Sequence, residues 1–291
     1  MQQFTIRDIE NLTGIKAHTL RIWEQRYHFF TPKRKESQHR FYDNEDLKKL
    51  LRISFLYHQG LKISKIASLS EEEIASRVAN TEISEGDELR FVTRLIEAAV
   101  DFDSATFTAI LDDIIAKTGF EKCITGICFP YLQKIGLLWS TNRVIPAQEH
   151  FSSYLIQNRI ISETEKLPVS NKRPEIILVC PKGEYHELPL LFINYLLRKN
   201  NWSTLYIGTN IGREEIMELS AHSGIGYIYL HLVTNFTGMY ADDYFEEICK
   251  TFPGKKVYAS GNGATQVQRN FVNLRVLKSD REVYEFINRA I

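Results

Sequence analysis

An imidazole two residues from a carboxylate, set directly after a short apolar run, is an arrangement that can hold a metal. Residues 175–180 read Glu-Ile-Ile-Leu-Val-Cys, and Pro181-Lys-Gly-Glu184-Tyr-His186-Glu-Leu-Pro189-Leu follows. One nitrogen of a neutral histidine can ligate a transition metal while a carboxylate holds the other ring N–H and fixes the tautomer. A loop histidine can also cap the helix that follows it, and spacing alone admits both roles. A second cluster is Trp139, then nine residues, then Glu149-His150, around a loop that holds Pro146. An indole in a helical segment is usually core; beside a Glu-His pair it also suits the covering of a large flat ligand. A third group is basic: Lys16, His18, Thr19, Arg21, Arg26 and Tyr27, then Lys33, Arg34, Arg40 and Tyr42. Lys and Arg neutralise phosphates, and side chains early on a second helix reach base edges. The alternative is a small helical domain with a solvated basic face.

These groups need elements to position them. Residues 5–11 and 17–27 are two short helical patterns with Thr13-Gly14-Ile15 as a tight turn between them, the grammar of a helix-turn-helix. Thr31-Pro-Lys-Arg-Lys and Gln38-His-Arg-Phe-Tyr read as a basic β-wing, onto which Trp23 is expected to pack. Asp43 and Asp46 suit the N-terminus of a third helix. Residues 69–87 are acidic and polar, as in a linker or helix–helix junction. From 88 to 166, apolar residues recur at helical spacing in four runs, among them Phe91-Leu95-Ile96-Ala99 and Phe107-Ile110-Leu111-Ile114, which predicts a four-helix bundle. Two prolines in the polar stretch 167–174 mark a boundary. Five strand patterns (175–180, 203–207, 227–232, 256–259, 274–277) then alternate with helical ones. That alternation predicts a doubly wound parallel α/β sheet of Rossmann-like type, with its ligand at the carboxyl ends of the strands. The loops to watch are 181–186, 208–211, 231–237 and 260–264.

Composition narrows the class of function. The 291 residues carry 36 basic and 36 acidic side chains, so net charge by itself says nothing about partners. Its distribution does: residues 1–70 hold 13 Lys and Arg against 7 Asp and Glu, and the remainder is acidic to the same degree. A basic head on an acidic body points to nucleic acid at one end. Four scattered cysteines and no CxxC predict reduced core thiols. With no long apolar run and no signal-like N-terminus, a cytoplasmic protein without a membrane partner is expected. No phosphate-loop sequence or triad grammar is present, so the chain is not expected to be an enzyme.

The order Phe-Thr-Ile-Arg-Asp-Ile-Glu-Asn-Leu-Thr-Gly-Ile, Thr19-Leu-Arg-Ile-Trp-Glu-Gln-Arg-Tyr, His39-Arg-Phe-Tyr resembles the MerR family of transcription regulators over residues 3–72. The resemblance places Thr19, Arg21 and Tyr27 on or after a recognition helix, and gives Arg40 and Tyr42 phosphate contacts from the wing. Beyond the head, Trp-x9-Glu-His and Glu184-Tyr-His186 are similar to motifs of the cobalamin-binding, light-sensing regulators within that family. The resemblance implies adenosylcobalamin as cofactor. His186 would be the axial cobalt ligand with Glu184 beside it, and Trp139, Glu149 and His150 would cover the adenosyl face. His231, Ser260, Gly261 and Gly263 would line the rest of the pocket. The chain departs from the family pattern at Pro189 (for glycine), at His231 (for a small serine), at Ser260-Gly261-Asn262-Gly263 (for a Gly-Gly pair), and at Ser140 (for a histidine after the tryptophan).

The expected organisation is multidomain: a winged helix-turn-helix head (1–72), a helical bundle acting as cobalamin cap (86–167), and a B12-binding Rossmann-like domain (173–291). The expected function is transcription regulation gated by the ligand. Its partners would be promoter DNA, a second copy of the chain in a dimer or tetramer, and a protein antirepressor. The competing readings are a cobalamin-independent regulator switched by a protein or another ligand, and a corrinoid carrier module of a methyltransferase.

Overall fold

Thr5 starts the first helix because its hydroxyl accepts the Asp8 backbone N–H while the Asp8 carboxylate accepts the Thr5 N–H, so two otherwise unpaired donors are satisfied together. The computed structural model describes residues 4–29, 33–34, 40–80, 88–140, 146–221, 224–234 and 240–289. Helix α1 (Ile6–Thr13) ends at Gly14, whose φ of +72° is a left-handed cap. Helix α2 (Ala17–Tyr27) follows, then the antiparallel pair β1 (Lys33–Arg34) and β2 (Arg40–Phe41). The wing loop 35–39 lies outside the described residues. Phe4 and Tyr42 exchange backbone hydrogen bonds of 2.8 and 2.9 Å, and both rings are buried. Asp43 and Asp46 form a second reciprocal cap on α3 (Asn44–His58). Next come α4 (Ile63–Ile66) and α5 (Glu71–Asn80).

Of the acidic stretch 69–87, expected as a linker or helix–helix junction, residues Glu71–Asn80 form α5. Ser70 and Glu73 cap it reciprocally, at 3.2 and 2.8 Å, and Ile74 and Val78, one turn apart, are buried as the helix packs on α3. The bundle consists of α6 (Glu88–Val100), α7 (Ser104–Thr118), α8 (Phe120–Cys123), a π-turn (Ile124–Cys128), α9 (Phe129–Ser140) and α10 (Pro146–Glu165). The π-turn lies just before Pro130, which has no N–H for the Gly126 carbonyl, so the wider turn falls where the α ladder is interrupted. The apolar stripes read from the sequence are the buried ones, including Leu95, Phe107, Ile110, Ile114, Ile127 and Ile135. Helix α3 packs on α6. There Arg52 grips the Glu97 carboxylate through two bonds of 2.9 and 3.0 Å, and Lys48 pairs with Asp101 at 2.6 Å.

Packing divides the chain into two units, Met1–Leu155 and Ile156–Ile291. The second contains β3 (Ile176–Pro181), α11 (Glu187–Lys199), β4 (Thr204–Ile211), α12 (Arg213–Ser220), β5 (Tyr227–His231), α13 (Ala241–Thr251), β6 (Lys256–Ser260), a 3-10 turn (Ala264–Gln266), β7 (Leu274–Leu277) and α14 (Asp280–Ile287). All five strands are parallel, in the order β4-β3-β5-β6-β7. Register sorts the two faces. Val179, Leu230, Ala259 and Val276 lie in one row, in the apolar cluster with Ile216 of α12 and Phe245 of α13. In the adjacent row, Tyr229 and Tyr258 stack on Phe286 of α14. Cys123, Cys128, Cys180 and Cys249 are buried free thiols, as their scatter in the sequence predicted. Among the described residues no helix is long and apolar enough to cross a membrane.

Candidate functional site

The strand order reverses at β3. From there the chain steps outward to β4, then crosses back to β5 on the other side. At such a switch the loops leaving the two inner strands turn apart and open a crevice. Those loops are 182–186 after β3 and 232–234 after β5, and Glu184 ties them together. Its side chain is 1% exposed. One carboxylate oxygen accepts the Val233 and Thr234 N–H groups, both at 2.9 Å, and the Thr234 hydroxyl at 3.2 Å. The other accepts the His186 N–H at 3.0 Å and meets His186 Nδ1 at 2.5 Å. Burial pushes this carboxyl up, but the bonds from the His186 ring and from the Thr234 and His186 backbones outweigh it and hold the pKa at about 2. Asn210 braces the same loop from β4: its Oδ1 accepts the Gly183 N–H at 3.0 Å and its N–H reaches the Glu184 carbonyl at 3.2 Å.

His186 is the residue before the first turn of α11, and its side chain is half-exposed. Its side chain makes no capping bond, so the helix-cap role does not account for it. An ionised Glu184 makes Nδ1 the protonated nitrogen, which leaves the lone pair on Nε2, the form that ligates a metal. Among the described residues no group of three or more His, Cys, Asp or Glu side chains gathers into a metal site. One imidazole suits an ion whose other ligands travel with it, as a corrin ring provides, and in that sense the donor set fits a corrinoid.

The remaining predicted pocket residues lie at the ends of β5 and β6. His231 is buried, and its Nδ1 lies 2.8 Å from the Ser260 hydroxyl, which accepts the Tyr229 hydroxyl at 2.7 Å. His231 therefore shares the Ser260 hydroxyl with Tyr229 at the ends of β5 and β6. Burial drives its pKa down to about 4, with Glu184 opposing the shift and His186 adding to it. Gly261 has φ +92°, and a Cβ there would sit 2.1 Å from the Leu232 carbonyl oxygen; at Gly263 it would sit 2.8 Å from that of Thr234. The two glycines let the loop after β6 lie directly on the loop after β5. Pro189 lies in the first turn of α11.

In the first unit, Glu149 and His150 occupy the first turn of α10 and face each other across 2.9 Å, with His150 77% exposed. Trp139 lies near the end of α9, its side chain outside the described residues, as is the loop 141–145. In the head, His18, Arg21 and Arg26 are exposed on α2, while Thr19 and Tyr27 are half-buried. Lys16 precedes α2 and pairs with Glu10 at 3.1 Å. Lys33 is exposed and ion-paired with Asp43. Arg34 and Arg40 are directly opposite in the wing, with side chains outside the described residues. One expectation needs correction. Tyr42 is 1% exposed and belongs to the head's core, so its ring presents nothing to a phosphate. Trp23 packs edge-on against Tyr57 of α3 at 4.9 Å and against Phe29 at 6.5 Å, and most of the wing it was expected to meet lies outside the described residues.

Sequence reading had not found the partners of Glu184. Backbone N–H groups have no residue signature, although both 208–211 and 231–237 had been marked as loops at the strand ends. Tyr229 was equally hidden, as one aromatic in an apolar strand.

Comparison with known proteins agrees with this layout. Residues 4–73 match the model of the MerR HTH family regulatory proteins, and residues 92–161 match that of a B12 binding domain. The HTH-type transcriptional repressor CarA of Myxococcus xanthus is 30% identical over 208 residues, 70% of this chain and 68% of that one. The repressor CarH of the same organism is 26% identical over 220 residues, 73% of each chain. The monomethylamine corrinoid protein of Methanosarcina barkeri superposes with a TM-score of 0.54 at 14% identity, covering 68% of this chain and 96% of that one, a likeness of fold.

Proposed function

From the premise that the chain belongs to the MerR-type transcription regulators that carry a B12-binding domain, we propose that it is a repressor gated by adenosylcobalamin and light. The Glu184–His186 pair carries this reading. A buried, fully bonded carboxylate presents one imidazole at the switch-point crevice in the tautomer that ligates cobalt. Bound adenosylcobalamin would supply a cobalt–carbon bond that light breaks.

The chain's own residues divide the rest of the work. His186 would hold the cobalt through Nε2, with Glu184 keeping the proton on Nδ1. Because Glu184 also fixes Val233 and Thr234, anything that moves His186 is felt at the end of β5. Trp139, Glu149 and His150 are assigned to the adenosyl cap, and the basic residues of α2 and the wing to promoter DNA. Assembly into a dimer or tetramer, an antirepressor partner and a cytoplasmic location complete the proposal.

The test is reconstitution with adenosylcobalamin in darkness, desalting, and visible spectra and operator binding before and after green light. Retained corrinoid, a light-dependent spectrum and a light-dependent loss of DNA binding are expected. A desalted sample with no corrinoid absorbance overturns the cofactor and leaves the regulator. That second reading has its own observation. His231 fills the end of β5 and is already engaged by Ser260, which suits a crevice used by a smaller ligand or a protein. A methyl-carrier role is disfavoured by the DNA-binding head.

A further inference from the structure

Helix α2 buries Leu20 and Trp23 and turns the opposite arc outward. At about 100° per residue, His18, Arg21, Ile22 and Gln25 cluster on that arc, spaced i, i+3, i+4 and i+7, and all four are exposed. Three are polar. The fourth, Ile22, is 50% exposed, with no apolar neighbour among its arc companions. A single exposed isoleucine is unremarkable on an ordinary surface. On the helix of a helix-turn-helix that enters a major groove, its position gives it a partner: the groove presents only one apolar group, the 5-methyl of thymine.

We infer that Ile22 is a specificity residue that reads a thymine methyl, flanked by Arg21 and Gln25, whose side chains suit guanine and adenine edges respectively. This rests on the DNA-binding reading of the head and deepens it. Exposed β-branched bulk at Ile22 is stiff at χ1, so the contact is made without ordering a long side chain.

The experiment uses the full chain. Bound duplexes are selected from a random library, and in the winning sequence each thymine is replaced singly by uracil, which removes only the methyl group. One position is expected to lose affinity about fourfold, the value of one buried methyl at about 0.8 kcal/mol. In Ile22→Ala, thymine and uracil at that position should bind alike. An unchanged far-UV circular dichroism spectrum and melting temperature in this variant verify that the head is folded. A winning sequence with no uracil-sensitive position overturns the methyl contact alone. So does a sensitivity that survives Ile22→Ala, since it then comes from DNA shape. Failure to enrich any sequence overturns the DNA-binding reading itself, a separate and recognisable result.

Discussion

Two carboxylate–histidine pairs among the described residues are built in opposite ways. Glu184–His186 has a carboxylate 1% exposed and holding five hydrogen bonds, four of them besides the one to the imidazole ring. Glu149–His150 joins neighbours on one helix turn, and its histidine is 77% exposed. The first is pre-organised: its geometry is set by two loops before any ligand arrives. The second has a half-buried carboxylate and a largely exposed histidine, whose orientation costs little to change. On the proposed reading, the same two residue types would serve as a fixed anchor in one unit and as an adaptable contact in the other. What separates them is the backbone around the carboxylate.

The largest way to break this contrast is His186→Ala, which removes the anchor's ligand. Corrinoid retention after desalting should fall by about 100-fold or more, and the spectrum should shift to the form lacking a protein nitrogen. Glu184→Gln should come next. It keeps the shape but loses the tautomer control, and about 10–100-fold in affinity is expected by titration. It also weakens the charge-assisted bonds to Val233 and Thr234, so the unliganded protein should melt lower as well.

Acid sharpens the comparison through two separate windows. Glu184 titrates at about 2 in the fold against an ordinary 4.5, so its stabilisation is complete above about pH 4.5 and is lost as pH falls toward 2. His231 titrates at about 4 against an ordinary 6.5, so folding disfavours its protonation. Its penalty is absent above about pH 6.5 and grows as pH falls through 4. Chemical denaturation followed against pH should show two successive losses of stability. Glu184→Gln should erase the lower one and His231→Gln the upper one. The smallest effect belongs to the Glu149–His150 pair, whose histidine is largely exposed. Glu149→Gln should change the stability of the unliganded protein by no more than about 0.5 kcal/mol. A larger loss would mean that Glu149 is an anchor like Glu184, and the contrast would fail.

Much of this was legible in the residues. The apolar stripes of the bundle, the reciprocal caps at Asp43–Asp46, and the continuous run that becomes β3 have local signatures, and local signatures survive folding. Helix α5 was legible too, because Ser70 and Glu73 spell a capping box, yet the acidic composition suggested only a linker or a helix–helix junction. Strand β4 runs to Ile211, beyond its apolar run, because Gly208 and Asn210 take positive φ and let pairing with β3 continue past a shift in register. Tyr42 was misplaced because its burial depends on Phe4, thirty-eight positions away. The candidate site was half visible. His186 and its carboxylate sit two residues apart, whereas the hold on that carboxylate comes from backbone fifty residues downstream.

The four buried thiols offer a way to watch the molecule open. Burial pushes Cys180 up to about 12 and Cys249 to about 11, and Cys128 is raised beside Cys123. A thiol reagent therefore finds little thiolate and less access in the closed protein. Its reaction rate becomes a clock for local unfolding, read separately in the bundle through Cys123 and Cys128 and in the α/β unit through Cys180 on β3 and Cys249 on α13. A ligand that seats on His186 should slow the hand of the sheet's clock at Cys180, whose thiol lies 3.9 Å from the His186 carbonyl.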